Sequence, residues 1–313
     1  MYPKKRAISP VVSTIIITAA TLLLVIGILA YSQNLFQAQT ADAEYTQAQN
    51  IYVNLADEID GVSARQGASA YVRINSRAGG PAWVTSLDNM TATINIIGQT
   101  AYGNVTVLNS NVAALQYRAG SQIGTSSMML LRGTNASGVV NNQYPLGRVF
   151  TNQSKGALVQ LDYDRVGIVD LGYQNVSAGI APFTTHAAHT AFDYVDFVQL
   201  NLINLTFGGV HGGATYIAAT DTNLTVNYYR INYSRIAIPY NTSYQVQVNV
   251  TRSFGVFTDT YTLNITTGSV FDGDMGWACS PTCGPTTSST QQVPVDIVLA
   301  VIQPQVRIDF LGG

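Results

Sequence analysis

Residues 11–31 read VVSTIIITAATLLLVIGILAY. The segment has no charge and no proline. At 1.5 Å per residue its helix would be about 30 Å long, the thickness of a bilayer's hydrocarbon core. The uncharged stretch is longer still, unbroken from Ala7 to Ala41. Lys4, Lys5 and Arg6 stand before it, and Asp42 and Glu44 follow it. Positive charge is retained on the cytoplasmic side, so residues 1–6 are expected inside the cell and residues after about 36 outside. Ser9 suits a helix cap and Pro10 the first helical position. A secretory signal has a shorter apolar core followed by a small-residue cut site. Here the basic-small sequence Lys5-Arg6-Ala7 precedes the apolar run, so a cut there leaves the helix in the mature chain.

The helix need not stop at the membrane face. One heptad seam runs Ser13, Ala20, Gly27, Asn34, Ala41, Ala48, Leu55, Val62; its partner runs Ile17, Leu24, Tyr31, Ala38, Tyr45, Tyr52, Ile59. From Ala41 the apolar spacing alternates four and three with polar residues between, the pattern of a helix-packing seam. A helix over about residues 9–62 is expected, with Gly61 and Gly67 as stop signals. Its first seam begins small, at Ser13, Ala20 and Gly27, which lets helices approach closely where no hydrophobic effect drives them together. Small residues are also simply common in membrane helices.

After about residue 68 the character changes. Runs rich in Val, Ile, Thr and Tyr alternate with Gly, Asn, Pro and Ser: Ala70–Asn75, Met90–Ile97, Ala157–Tyr163, Asn223–Ile231, Tyr244–Thr251, Thr258–Thr266 and Val306–Phe310. Tyr244, Val246, Val248 and Val250 alternate with polar residues, as in a strand with one buried face. The expected fold class is α+β, a long N-terminal hydrophobic helix followed by an all-β, sandwich-like head over residues 63–313, as one sandwich or two β subdomains.

Only 10% of the 313 residues are charged, and the net charge is −2. A soluble domain averages about 25% charged. The balance excludes a nucleic-acid binder that works by neutralising phosphates, and the apolar content excludes disorder. The poverty of charge extends beyond the apolar helix into the head, where Asn, Thr, Ser and Tyr take its place.

Asn-X-Ser/Thr acceptor patterns occur at Asn89, Asn104, Asn135, Asn152, Asn175, Asn204, Asn223, Asn232, Asn241, Asn249 and Asn264. The Ser and Thr content would give about four by chance. The excess suits an N-glycosylated surface; a Thr-rich β protein also produces the pattern, since residues two apart share a strand face. Cys279-Ser-Pro-Thr-Cys283 fits a short disulfide-closed turn, with free thiols or a metal pair as alternatives. His186, His189, Asp193 and Asp196 form the one cluster of possible ligands near each other in sequence, and Asp272-Gly-Asp274 is a fragment of a calcium loop; neither pattern is complete. No nucleophile elbow, phosphate loop or zinc-protease motif is present in the sequence. No enzyme activity and no cofactor or metal is expected.

Lys4-Lys5-Arg6-Ala7 followed by Ile8-Ser9-Pro10-Val11-Val12 resembles the class III leader of archaeal type IV pilins. The resemblance covers about the first 35 residues. It implies that a prepilin-type leader peptidase cuts between Ala7 and Ile8. Residues 1–7 would be the leader and residues 8–62 an assembly helix that waits in the membrane. Helices of many copies would then gather in a filament core, driven by a pilus assembly ATPase and its membrane platform, with heads outside and glycosylated by the N-glycosylation machinery. Bacterial relatives carry Glu at the fifth mature position; Val12 stands there, as in the archaeal branch. The Ser-Pro start is similar to adhesive pilins rather than motility filaments. The implied function is an extracellular, self-assembling adhesion fibre; a motility subunit and a non-polymerising, membrane-anchored surface module are the alternatives.

Overall fold

The computed structural model describes residues 10–74, 79–96, 105–119, 128–134, 139–141, 144–152, 157–175, 194–231, 243–252, 257–266 and 296–312. One helix, α1 (Pro10–Ser63), covers 54 residues, about 80 Å at 1.5 Å each. Pro10 occupies the first position, where its missing N–H costs nothing. Gly61 does not end the helix. A helical glycine costs only about 1 kcal/mol, and Ile59 and Val62 on either side are buried. The left-handed residue comes later, at Gly67 with φ +75°, a conformation open to glycine without steric penalty. Its N–H donates to the Asp221 carboxylate at 2.9 Å, and the Asp221 N–H donates to the Ala68 carbonyl at 2.9 Å. The turn out of the helix is thereby tied to the sheet.

The rest of the described chain is strands: β1 (Ser69–Arg73), β2 (Gly80–Ile96), β3 (Val105–Arg118), β4 (Met129–Arg132), β5 (Val139–Asn141), β6 (Arg148–Asn152), β7 (Leu158–Asp162), β8 (Val166–Asn175), β9 (Tyr194–Asn201), β10 (Asn204–His211), β11 (Tyr216–Ile231), β12 (Ser243–Arg252), β13 (Phe257–Thr266) and β14 (Asp296–Leu311). The protein is α+β: a long apolar N-terminal helix and a β-sandwich-like head. Each of the seven runs read as strand from the sequence lies mostly or wholly within one of these strands.

Two seven-stranded sheets form. One has the order β1-β11-β14-β9-β8-β5, with β10 also on β14; the other has the order β13-β12-β2-β3-β7-β6-β4. β14 organises the first sheet. It is antiparallel to β11 along its full length, parallel to β9 over Asp296–Ile302 and parallel to β10 over Gln305–Leu311. Pro304, which has no N–H to donate, lies at the changeover between β9 and β10.

The second half of α1 enters the space between the sheets. Tyr45, Tyr52, Leu55, Ile59 and Val62 join one core with Leu115, Tyr117, Val159 and Leu161 of the second sheet and Ile217, Ala219, Ile308 and Phe310 of the first. At about 1.5–3 kcal/mol per buried large side chain, the helix is part of the head's foundation. Further buried side chains outside that cluster, among them Met90, Ala92, Ile94, Leu108, Ile168, Val198, Leu200, Val250 and Ala300, lie along the same long strands. β7 is buried at all five positions, so the second sheet is covered on both faces there.

Candidate functional site: the bare half of the helix

A single continuous helix carries two opposite surfaces. From Ala41 onward the seam positions Ala41, Tyr45, Ala48, Tyr52, Leu55, Ile59 and Val62 are buried. Before Ala41 no described residue is buried. Ser13, Ile17, Ala20, Leu24, Gly27, Tyr31 and Asn34 are exposed, and Ala38, at the boundary, is half-buried. Leu23 is 72% exposed, Tyr31 70% and Phe36 67%. The helix is long and apolar enough to cross a membrane, and its most apolar window is 0% buried within the molecule. Leucine and isoleucine at that density do not face water without a partner.

The threonine hydroxyls of this segment are already satisfied. Thr18 Oγ1 donates to the Thr14 carbonyl at 2.8 Å, Thr21 Oγ1 to the Ile17 carbonyl at 2.9 Å, and Thr40 Oγ1 to the Phe36 carbonyl at 2.8 Å. A hydroxyl folded back on its own helix needs no water, and the helix backbone bonds to itself. Residues 11–31, whose few polar side chains are hydroxyls, therefore suit a dry environment, lipid or a bundle of other helices.

The buried half is held by more than apolar contact. Arg132 on β4 donates to the carboxylates of Asp57, at 2.9 Å, and Asp60, both on the helix, and to the Gly147 carbonyl at 2.7 Å. Burial opposes its charge, but Asp60 and Asp57 outweigh that and hold the guanidinium pKa above its usual value. Tyr163 Oη donates to Asp60 at 3.0 Å and lies 3.1 Å from the Ala56 carbonyl. Tyr45 Oη bonds to the Leu158 carbonyl at 3.4 Å. The clamp was not read from the sequence, although two carboxylates three apart on an otherwise charge-poor helix were its visible half.

A second polar group lies within the sheet. Arg148 meets Asp162 and Asp164, each at 3.1 Å; Gln160 Nε2 donates to Asp162 at 2.9 Å, and Gln116 Nε2 to Gln160 at 2.9 Å. Burial, then the Asp164 charge, pushes Asp162 up to about 7 against the pull of Arg148.

The other residues singled out by sequence are placed unevenly. Lys5, Arg6, Ala7 and Ile8 lie outside the described residues, as do Cys279, Cys283, His186, His189, Asp193 and the segment 272–274. Asp196 lies in β9 opposite Ile297. Of the acceptor asparagines, Asn104, Asn135, Asn232 and Asn241 are outside the described residues. Asn152 ends β6, Asn175 ends β8 and Asn264 lies in β13. Asn89 and Asn223 are exposed, Asn204 and Asn249 half-buried. Asn89 already donates to Asn111 at 3.2 Å. Asn89 and Thr91, Asn223 and Thr225, Asn249 and Thr251, and Asn264 and Thr266 each sit two apart on one strand, so strand alternation accounts for part of the excess. Among the described residues no group of three or more His, Cys, Asp or Glu is placed to hold a metal. Comparison with known protein families, curated proteins and solved structures finds no match.

Proposed function

We propose that this chain is the subunit of an extracellular filament of the type IV pilin kind, serving adhesion rather than catalysis. The observation that carries the reading is the continuity of α1. One unbroken helix is core to the head at its C-terminal end and bare and uncharged at its N-terminal end. A simple anchor needs no rigid union with its domain. A polymer does, because each head must be held at a fixed angle to a shared helical core. Before assembly the bare half waits in the cytoplasmic membrane, with the basic residues inside. After leader removal it exchanges lipid for the same half of neighbouring copies. Both environments are dry, and the threonine hydroxyls, bonded to their own helix, suit both. The small residues Ser13, Ala20 and Gly27 along one seam allow close approach.

The test is N-terminal sequencing of filaments sheared from cells that express the chain. The expected sequence starts Ile8-Ser9-Pro10. Surface filaments that lack this chain, or a chain that stays monomeric in the membrane with its leader intact, would favour the anchored-module alternative. Loss of swimming with adhesion intact in a deletion strain would favour the motility alternative.

A further inference from the structure

In a head with so little charge, the outer face of the first sheet gathers several charged groups beside two tyrosines. The pairing register places Tyr71 of β1 opposite Ala218 of β11, which in turn lies opposite Asp309 of β14. The next outward-facing row holds Arg73, Tyr216, Leu311 and His211, and the row on the other side holds Ser69, Thr220, Arg307 and Thr206. The inward positions between them, Ile217, Ala219, Ile308 and Phe310, are buried, which fixes the direction of the outer set.

Two walls result. On one side Tyr71, 73% exposed, meets Tyr216 edge-on at 6.0 Å between ring centroids. On the other side Arg307 Nε and Nη2 donate to Asp309 Oδ1 at 3.3 and 3.0 Å, and His211 Nε2 lies 3.3 Å from the same oxygen. The floor between them is Ala218. Strands lie about 4.8 Å apart, so the backbones under Tyr71 and Asp309 are about 10 Å apart, room for one flat ring over a methyl group. The polar wall is built into the fold by a bulge. β10 shifts register between Phe207 and Gly209, and a Cβ at Gly208 would run into the Arg307 and Asp309 side chains. Glycine at that point lets the pair lie against β10.

We propose that this trough is a carbohydrate-binding site for a neutral glycan. A sugar ring has an apolar C–H face and a rim of hydroxyls, and each finds its complement here. The exposed Tyr71 ring offers an apolar face with a polar tip. The Arg307 Nη1 N–H groups make no hydrogen bond among the described residues and are free to donate to ring hydroxyls, and the Asp309 carboxylate, held in place by Arg307, accepts from them. Arg307 and Asp309 balance each other in charge, and Arg73 stands one row away on the tyrosine side, so the polar wall itself matches an uncharged ligand better than a strongly anionic one. The site gives the adhesive part of the reading above a ligand class and rests on it to that extent, while its chemistry does not require the helices to polymerise.

The test uses the full chain in detergent micelles on an array of neutral and acidic oligosaccharides, with filament formation scored separately by electron microscopy. Retention on a subset of neutral oligosaccharides is expected, falling at least tenfold in Tyr71→Ala and in Arg307→Ala, with Tyr71→Phe close to the parent. Tyr71 and Arg307 are exposed, so Tyr71→Ala and Arg307→Ala retain the fold, and a matching melting temperature checks this. No retention on any oligosaccharide, or retention unchanged in both alanine variants, overturns the site. Retention confined to acidic oligosaccharides overturns the ligand class. Variants that form no filaments yet keep binding point to failure of assembly alone; variants that lose filaments with no glycan binding in the parent mark this face as a contact between copies.

Discussion

Tyr52 and Leu55 are both fully buried on the inner half of α1, and they make different contributions. Leu55 is apolar throughout, so Leu55→Ala is expected to cost about 2–5 kcal/mol through lost burial and the cavity left behind. Tyr52 stacks edge-on against Tyr117 at 6.5 Å, but its hydroxyl is buried without a hydrogen-bond partner among the described residues. Tyr52→Phe removes that cost while keeping the ring, and a stabilisation of about 1–2 kcal/mol is expected. Denaturant unfolding in micelles measures both; a destabilised Tyr52→Phe would show that the hydroxyl has a partner in solution. Asp162 adds a pH dependence. Its pKa rises from 3.8 to about 7 on folding, through burial and then the Asp164 charge. Between those values the folded chain holds a proton that the unfolded chain has released, so stability rises as pH falls. This contribution is complete below about 4 and lost as pH rises through about 7. Melting temperatures from pH 5 to 8 should decline more steeply for the parent than for Asp162→Asn, and parallel profiles would refute the assignment.

At the scale of the element, α1 was legible because a helix needs only its own sequence to show its periodicity. The heptad seam from Ala41 to Val62, set among polar residues, marks a buried face, and those positions are buried. The upstream seam carries no such contrast, since nearly every position there is apolar. The bare half therefore has no preferred face within the molecule, and its partner must come from outside. A charge placed in its middle tests this. Leu24→Lys is expected to cost about 2.5–3.5 kcal/mol on insertion into a bilayer, and to abolish filaments while leaving the head's melting temperature unchanged, because Leu24 is 63% exposed. Normal filaments from that variant would exclude residues 11–37 from the filament core. Strands were read less completely. The clean alternation at Tyr244–Thr251 marked β12, and the run Ala157–Tyr163 marked β7, although β7 reads as Leu-Val-Gln-Leu-Asp without alternation and all five positions are buried. A strand covered on both faces has no polar side to alternate, and its Gln160 and Asp162 are buried because Gln116 and Arg148 on neighbouring strands meet them.

For the whole molecule, the sharp change at Ala41 predicts that the bare segment can be removed without unfolding the rest. A chain lacking residues 8–37 should be soluble without detergent and melt within a few degrees of the full chain; aggregation or a large fall would mean that the segment supports the head. Arg132 is the corresponding internal test. It bridges β4 to Asp57 and Asp60 on the helix, and Arg132→Met should destabilise by about 1–3 kcal/mol through the carboxylates and carbonyl left without their donor. Periodicity, charge placement and turn residues established, from the chain alone, one long apolar helix, its buried seam, and a β-rich head. They are local quantities, written within a few residues of where they act. The tertiary structure alone settled which strands pair, how β9 and β10 share one edge of β14, that α1 runs between both sheets, and that Arg132 clamps it. It also brought Tyr71, Arg307, Asp309 and His211, up to 238 positions apart in the chain, onto one face. Strand order depends on contacts between distant segments whose energies differ little from those of alternative pairings, and no local pattern encodes that choice.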